Sequence, residues 1–460
     1  MNKALFRVSI VLLIMLIALS AASAAVKPNG LISDGAVLQQ GISVPIWGRA
    51  DDGEKVTVRF EGQTVSTTAR NGFWIVRLKP LTAGGPFTMK INDLELKNIL
   101  VGEVWICSGQ SNMAWTVKLS EDSEAVIAAS KDPLLRLYTV PRSDRLQELP
   151  PGWQEAGPDT VPNFSAVGYF FGKHLREALK APVGLIDSSV GGTPAEAWTS
   201  RSALLADPEL RSMVEKPSTR VSYLYNGMIA PLQPYAIRGA IWYQGESNAG
   251  RAYQYRTLFP AMIRNWREAW GHGDFTFLFV QLAPFGIVNE RRPESSWAEL
   301  REAQLLTSLN VPNTGMAVIT DLGDPVDIHP KKKEPVGARL ALAARAIAYG
   351  ENVVYSGPIY RSVEIKGDRA ILSFDHAGGG LMAKDGDLTG FTIAGSDQNF
   401  VDARAVIEGN KVVVRSPDVP KPVAVRYGWS NCPVVNLFNK EDLPASPFRT
   451  DDFPGVTEPK

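Results

Sequence analysis

Apolar positions change their rhythm twice along the chain. From about residue 30 to 98, apolar and polar residues alternate in short runs: Val44 to Trp47, Lys55 to Phe60, Phe73 to Leu78 and Phe87 to Ile91. Asp52-Gly53, Glu61-Gly62 and Asn71-Gly72 cut the runs apart. A period of two bounded by such turns predicts strands, so residues 25–100 are expected to form a small β-sandwich-like module. From residue 101 the apolar runs become nearly continuous, as in strands buried on both faces. Five are predicted: Glu103 to Cys107, Val183 to Asp187, Gly239 to Tyr243, Phe275 to Gln281 and Met316 to Thr320. Between them Ser165 to Lys180, Ala252 to Trp270, Trp297 to Leu309 and Glu334 to Tyr349 place apolar residues every three or four positions and predict helices. Residues 101–350 are therefore expected as an α/β domain on a doubly wound, parallel, five-stranded sheet. After Gly350, Arg361 to Ile365, Arg369 to Phe374, Phe391 to Ile393, Ala403 to Glu408 and Lys411 to Arg415 predict short strands again, giving a C-terminal β region over 351–460.

The first residues read as an export leader. Lys3 and Arg7 precede an apolar run from Ile10 to Leu19, and Ala22-Ser23-Ala24 fits a small-residue cleavage site. Residues 1–24 are expected to be removed, placing the mature protein outside the cytoplasm or in a periplasm. The competing reading is an uncleaved anchor, against which the run falls short of the roughly 18 residues a span needs. Lys and Arg together match Asp and Glu at 48 each, so no basic excess favours a nucleic acid partner. Cys107 and Cys432 are the only cysteines. They are too few for a disulfide framework or a Cys-only zinc site, and either pair or stay buried.

Ligands of wound α/β sheets bind beyond the carboxyl ends of the strands, and there this sequence is unusually polar. Ser108-Gly109-Gln110-Ser111-Asn112-Met113 follows the first predicted strand, Ser188-Ser189-Val190-Gly191-Gly192-Thr193 the second, and Gln244-Gly245-Glu246-Ser247-Asn248 the third. The fifth leads through Asp321 and Asp324 to Asp327-Ile328-His329-Pro330. A serine attacks at neutral pH only when a base takes its proton and a third group orients that base. Of four histidines, His174 lies in a helix, His272 in a loop and His376 in the C-terminal region; His329 alone follows a sheet strand.

In this order, and with Glu196-Ala197-Trp198, Trp242-Tyr243 and the closing Leu443 to Thr450, the blocks resemble the sialate O-acetylesterase family of the SGNH/GDSL hydrolase superfamily. The resemblance runs over nearly the whole mature chain. It implies an SGNH hydrolase-like catalytic domain and a serine esterase that removes O-acetyl groups from sugars. Ser111 would be the nucleophile, His329 the base and Asp327 its orienter. The backbone N–H of Ser111, that of Gly192 and the side-chain amide of Gln244 would form the oxyanion hole. The superfamily usually spaces acid and histidine as D-x-x-H, whereas Asp327 stands two residues before His329, so Asp324 remains the alternative acid. No cofactor and no metal are expected, since the mechanism needs neither and no histidine pair has ligand spacing. The implied partner is an acetylated sugar or glycan, with no membrane span after leader removal.

Plainer roles compete for several residues. Ser108 is expected to brace its turn, Glu246 to support neighbours by hydrogen bonding, and Asn248 to form a turn. Trp115, Trp198 and Trp242 could stack on sugars or fill the core. Lys331 to Lys333 reads as a solvated loop or helix start. Two rival functions remain from the residues alone: a glycoside hydrolase using Glu246 and Asp327, or a carbohydrate-binding protein on an esterase-like scaffold.

Overall fold

The computed structural model describes residues 26–216, 220–288 and 294–459. The leader-like residues 1–24 lie outside them. Strand β1 (Leu94–Gly109) organises the molecule. Its first part pairs antiparallel with Gly84–Ile91 of the N-terminal β region, and its second part enters the central sheet. The sequence changes character at the same place. Exposed residues still interrupt Leu94 to Asn98, whereas Ile99 to Gly109 is buried throughout, as a strand covered on both faces must be. The strand runs without a break through residue 100.

Parallel to the second part of β1 run β2 (Asp132–Thr139), β3 (Val183–Ser189), β4 (Gly239–Tyr243), β5 (Thr276–Val280) and β6 (Thr314–Ala317), in the order β2-β3-β1-β4-β5-β6. Gln154–Ala156 adds an antiparallel edge beside β2. Among the described residues this run has six parallel strands where the apolar pattern gives five; Val37–Gln39 also pairs parallel with β1, and the sheet as a whole is mixed. The strand missed is β2, whose apolar run is broken by Arg136. That residue is buried because its guanidinium donates to Pro133 O, Gly35 O and Asn98 Oδ1, which satisfies a charge that sequence patterning counts as solvent-facing.

Alternate residues of β1 face opposite layers. Val104 and Ile106 join one core with Leu258 and Phe259 of helix α3 (Ala252–Trp270) and Leu300 of α4 (Ser296–Asn310). Trp105 and Cys107 join the other with Phe171 of α2 (Ala166–Leu179) and Leu340 of α5 (Glu334–Ile347). Each helix lies within a residue or two of its expected span. The N-terminal residues also form a three-stranded sheet of Lys27–Pro28, Val44–Arg49 and Phe73–Leu78. The C-terminal strands surround a third core that includes Leu372, Ile393, Val414 and Tyr427.

Chain direction across the sheet reverses at β1, with β2 and β3 on one side and β4 to β6 on the other. Such a switch point leaves a crevice at the strand ends, and Ser111 opens the short helix α1 (Ser111–Ala114) there.

Candidate active site

Gly109 lets β1 end tightly. It stands opposite Tyr243 and Ser189 in the sheet at φ +139°, and a Cβ on it would meet Tyr243 O at 2.2 Å. Gln110 N–H then donates to Tyr243 O at 2.9 Å, turning the chain into α1. Ser108 donates through its hydroxyl to Ser188 O at 2.6 Å, so it ties β1 to β3 and does not brace its own turn as expected.

His329 Nε2 lies 2.9 Å from Ser111 Oγ across 218 residues of sequence. On the opposite side of the ring, Nδ1 is 3.5 Å from Asp327 Oδ1, too long for a strong hydrogen bond. The same carboxylate oxygen accepts the His329 backbone N–H at 2.9 Å, so Asp327 also shapes the loop. Trp115 stacks on the imidazole, with centroids 4.9 Å apart and planes 15° from parallel. Burial pushes the His329 pKa down, Asp327 opposes this, and the nearby Lys333 charge adds to the lowering. The other two acids of the loop are otherwise engaged. Asp324 accepts the N–H groups of Val326 and Asp327, and Asp321 makes a bidentate pair with Arg339 at 2.6 and 2.7 Å.

Gly191 passes beside the serine, since a Cβ on it would lie 3.4 Å from Ser111 Cβ. Gly192 is exposed at φ +71°. Gln244 is fully buried behind this turn. Its amide nitrogen donates to Asn248 Oδ1 at 2.6 Å and to Thr193 O at 3.3 Å, and its carbonyl oxygen accepts from Tyr255. Both amide hydrogens therefore have protein acceptors, which sequence position could not reveal. Asn248 Oδ1 also accepts Ala195 N–H, and its Nδ2 donates to Glu196, which pairs with Arg251 at 2.7 Å. This buried chain holds Thr193 to Glu196, the segment that follows Gly192. Beside it, a cavity of about 390 Å³ is lined by Pro194, Glu196, Met213, Tyr223 and Arg251 among others.

Lys333 departs most from the sequence expectation. It is 1% exposed at the start of α5, not solvated, and its Nζ donates to Asn112 Oδ1 at 2.5 Å. The ammonium lies 5.8 Å from the Trp115 ring centroid and 5.5 Å from that of Tyr243. Asn112 Nδ2 in turn donates to Glu246 Oε1 at 2.7 Å and to Ile328 O at 3.0 Å. Glu246 Oε1 is thus committed to Asn112, the residue that follows Ser111. Trp198 and Trp242 are core residues packed edge to face against each other. Cys107 and Cys432 are both buried and free. His174 pairs with Glu334 and Glu177 on the helix surface, away from this site. Among the described residues no group of three or more His, Cys, Asp or Glu side chains is placed to share a metal ion.

A polar crevice at an α/β switch point, holding a serine and a histidine at hydrogen-bond distance, defines a class of hydrolytic enzymes. Residues 101–346 match the family model described as carbohydrate esterase, sialic acid-specific acetylesterase. The chain is 32% identical to human sialate O-acetylesterase, covering 89% of this chain and 90% of that protein. It is 33% identical to the mouse enzyme, covering 88% and 90%. The crystal structure of a carbohydrate acetylesterase from Xanthomonas citri is 43% identical with a TM-score of 0.88, over 93% of this chain and all of that one. The chain belongs to the sialic acid-specific acetylesterase family of carbohydrate esterases and is a carboxylic-ester hydrolase. Among the described residues no helix is long and apolar enough to cross a membrane.

Proposed function

We propose that the protein is an exported carbohydrate O-acetylesterase working through Ser111, His329 and Asp327 on an SGNH-type wound sheet. The observation that carries this reading is the 2.9 Å approach of His329 Nε2 to Ser111 Oγ. Ser111 Oγ attacks the acetyl carbonyl while its proton passes to His329 Nε2. Asp327 holds the ring with Nδ1 protonated and stabilises the imidazolium. The resulting oxyanion takes hydrogen bonds from the backbone N–H groups of Ser111 and Gly192. Gln244 joins them by exchanging its longer bond, the 3.3 Å contact with Thr193 O, for the oxyanion. His329 returns its proton to the sugar oxygen as the alcohol leaves, and a water activated by the same nitrogen releases acetate. The cavity beyond Pro194 gives room for the sugar.

The leader pattern of residues 1–24 supports export, by the charge, apolar run and small-residue site already described. The experiment is acetate release by purified protein from O-acetylated sialic acids, xylan and xyloglucan, with Ser111→Ala in parallel. The native enzyme should release acetate from at least one of them. The folded variant should lose activity by a factor on the order of 10⁶ in kcat. A folded Ser111→Ala that keeps most of its activity would contradict the reading.

A further inference from the structure

Next to the serine-histidine contact, hydrogen bonds join a buried ammonium, a buried amide and a carboxylate. Lys333 Nζ donates to Asn112 Oδ1, and Asn112 Nδ2 donates to Glu246 Oε1. An asparagine side chain can face either way in a site, because its two ends are nearly the same size. Here the ammonium demands the oxygen end and the carboxylate demands the N–H end, so only one orientation satisfies both charges. In that orientation Nδ2 also reaches Ile328 O at 3.0 Å. Asn112 follows Ser111, and Ile328 precedes His329. The bond therefore braces the two chain segments on either side of the 2.9 Å contact between Ser111 and His329.

We propose that Lys333 is a positioning residue for ester hydrolysis, which orients Asn112 so that it clamps the Ser111 turn to the His329 loop. This rests on the assignment of Ser111 and His329 made above. The ammonium is enclosed by the rings of Trp115 and Tyr243, and Trp115 in turn stacks on His329, so one side chain supports both partners of the contact. Burying a cation in this way is costly unless it has partners, and burial pushes the Lys333 pKa down to about 7. The charged groups facing it are Glu246 from the loop after β4 and Asp327 from its own loop, both of which favour the charged form. On His329 the Lys333 charge acts in the opposite sense to Asp327, favouring the neutral imidazole that a general base requires.

The test is a double-mutant cycle of Lys333→Met and Asn112→Ala, read with an activated acetyl ester across pH, with thermal melting to check folding and Ser111→Ala in the same series. Lys333→Met should lower kcat by about tenfold or more and leave KM within about twofold, since the small substrate does not touch the lysine. Its acid limb should move to higher pH, because a positive charge beside His329 is gone. Asn112→Ala should lower kcat to a similar extent, and the double variant should be no slower than the slower single, as expected for two residues acting through one link. A folded Lys333→Met with native kcat and native pH profile would overturn the proposal, and so would fully additive losses. If Lys333→Met fails to fold, Asn112→Ala carries the test alone, and native kcat in that variant overturns it. An active Ser111→Ala would instead overturn the nucleophile assignment, so the two failures are distinguishable.

Discussion

At the scale of residues, His329 experiences opposing influences whose balance has a measurable sign. Burial and Lys333 lower its pKa, and Asp327 raises it, with the lowering dominant. Because the base must be neutral to accept the serine proton, the acid limb of kcat/KM should have its midpoint below the ordinary histidine value of about 6.5. A pH profile with an activated acetyl ester checks this, and a midpoint above 6.5 would contradict it. The three acids of the loop separate in the same assay. Asp327→Asn should be the most damaging, with a loss approaching about 10⁴ in kcat if the tautomer is set as in other triads. The 3.5 Å separation and the stacking of Trp115 argue for a smaller loss than that limit. Asp324→Asn should act mildly through its turn. Asp321→Asn should lower the melting temperature more than kcat, because it breaks the pair with Arg339. If Asp324→Asn proved the slowest enzyme, the acid would move five residues upstream of His329. That Ser111 and His329 would come together was legible because so few residue types suit a nucleophile and its base. The environment of Lys333 was not, since a three-lysine run carries no sign of which ammonium is enclosed.

Among the elements, the site depends on how strands end. Gly109 at the end of β1 has no room for a side chain against Tyr243 O, so Gly109→Ala must displace either β4 or the Ser111 turn. It should lower both kcat and the melting temperature, and a variant with native values of both would contradict this account of the turn. Of β1 only Glu103 to Cys107 was read from its apolar run, while its extension back to Leu94 was not; β3 to β5 and, shifted by a few residues, β6 were read in the same way. Strand β2 was not, because Arg136 interrupts its pattern and is compensated in part by Gly35 and Asn98, which no local window contains. The short C-terminal strands Leu381–Ala383, Leu437–Asn439 and Phe448–Arg449 escaped for a related reason. At two or three residues each, they are defined by their pairing and not by a period.

For the whole molecule, the C-terminal β region is tied to the α/β layer by Arg301. This fully buried guanidinium donates to Leu282 O at 2.7 Å on the catalytic side, and to Ser430 O and Asn431 O at 2.8 and 2.9 Å on the other. Arg301→Met would leave the buried Leu282 O and Ser430 O short of a donor, at about 1–3 kcal/mol each. The melting temperature should fall clearly while any remaining folded enzyme keeps its KM, and an unchanged melting curve would contradict this tie. The central claim is that this fold presents one activated serine, and intact-protein mass after treatment with a fluorophosphonate tests it most directly. One adduct per chain, mapped by peptide analysis to Ser111 and formed far more slowly in His329→Ala, is the result expected. An adduct on another residue, or no adduct in an enzyme that still releases acetate, would contradict it.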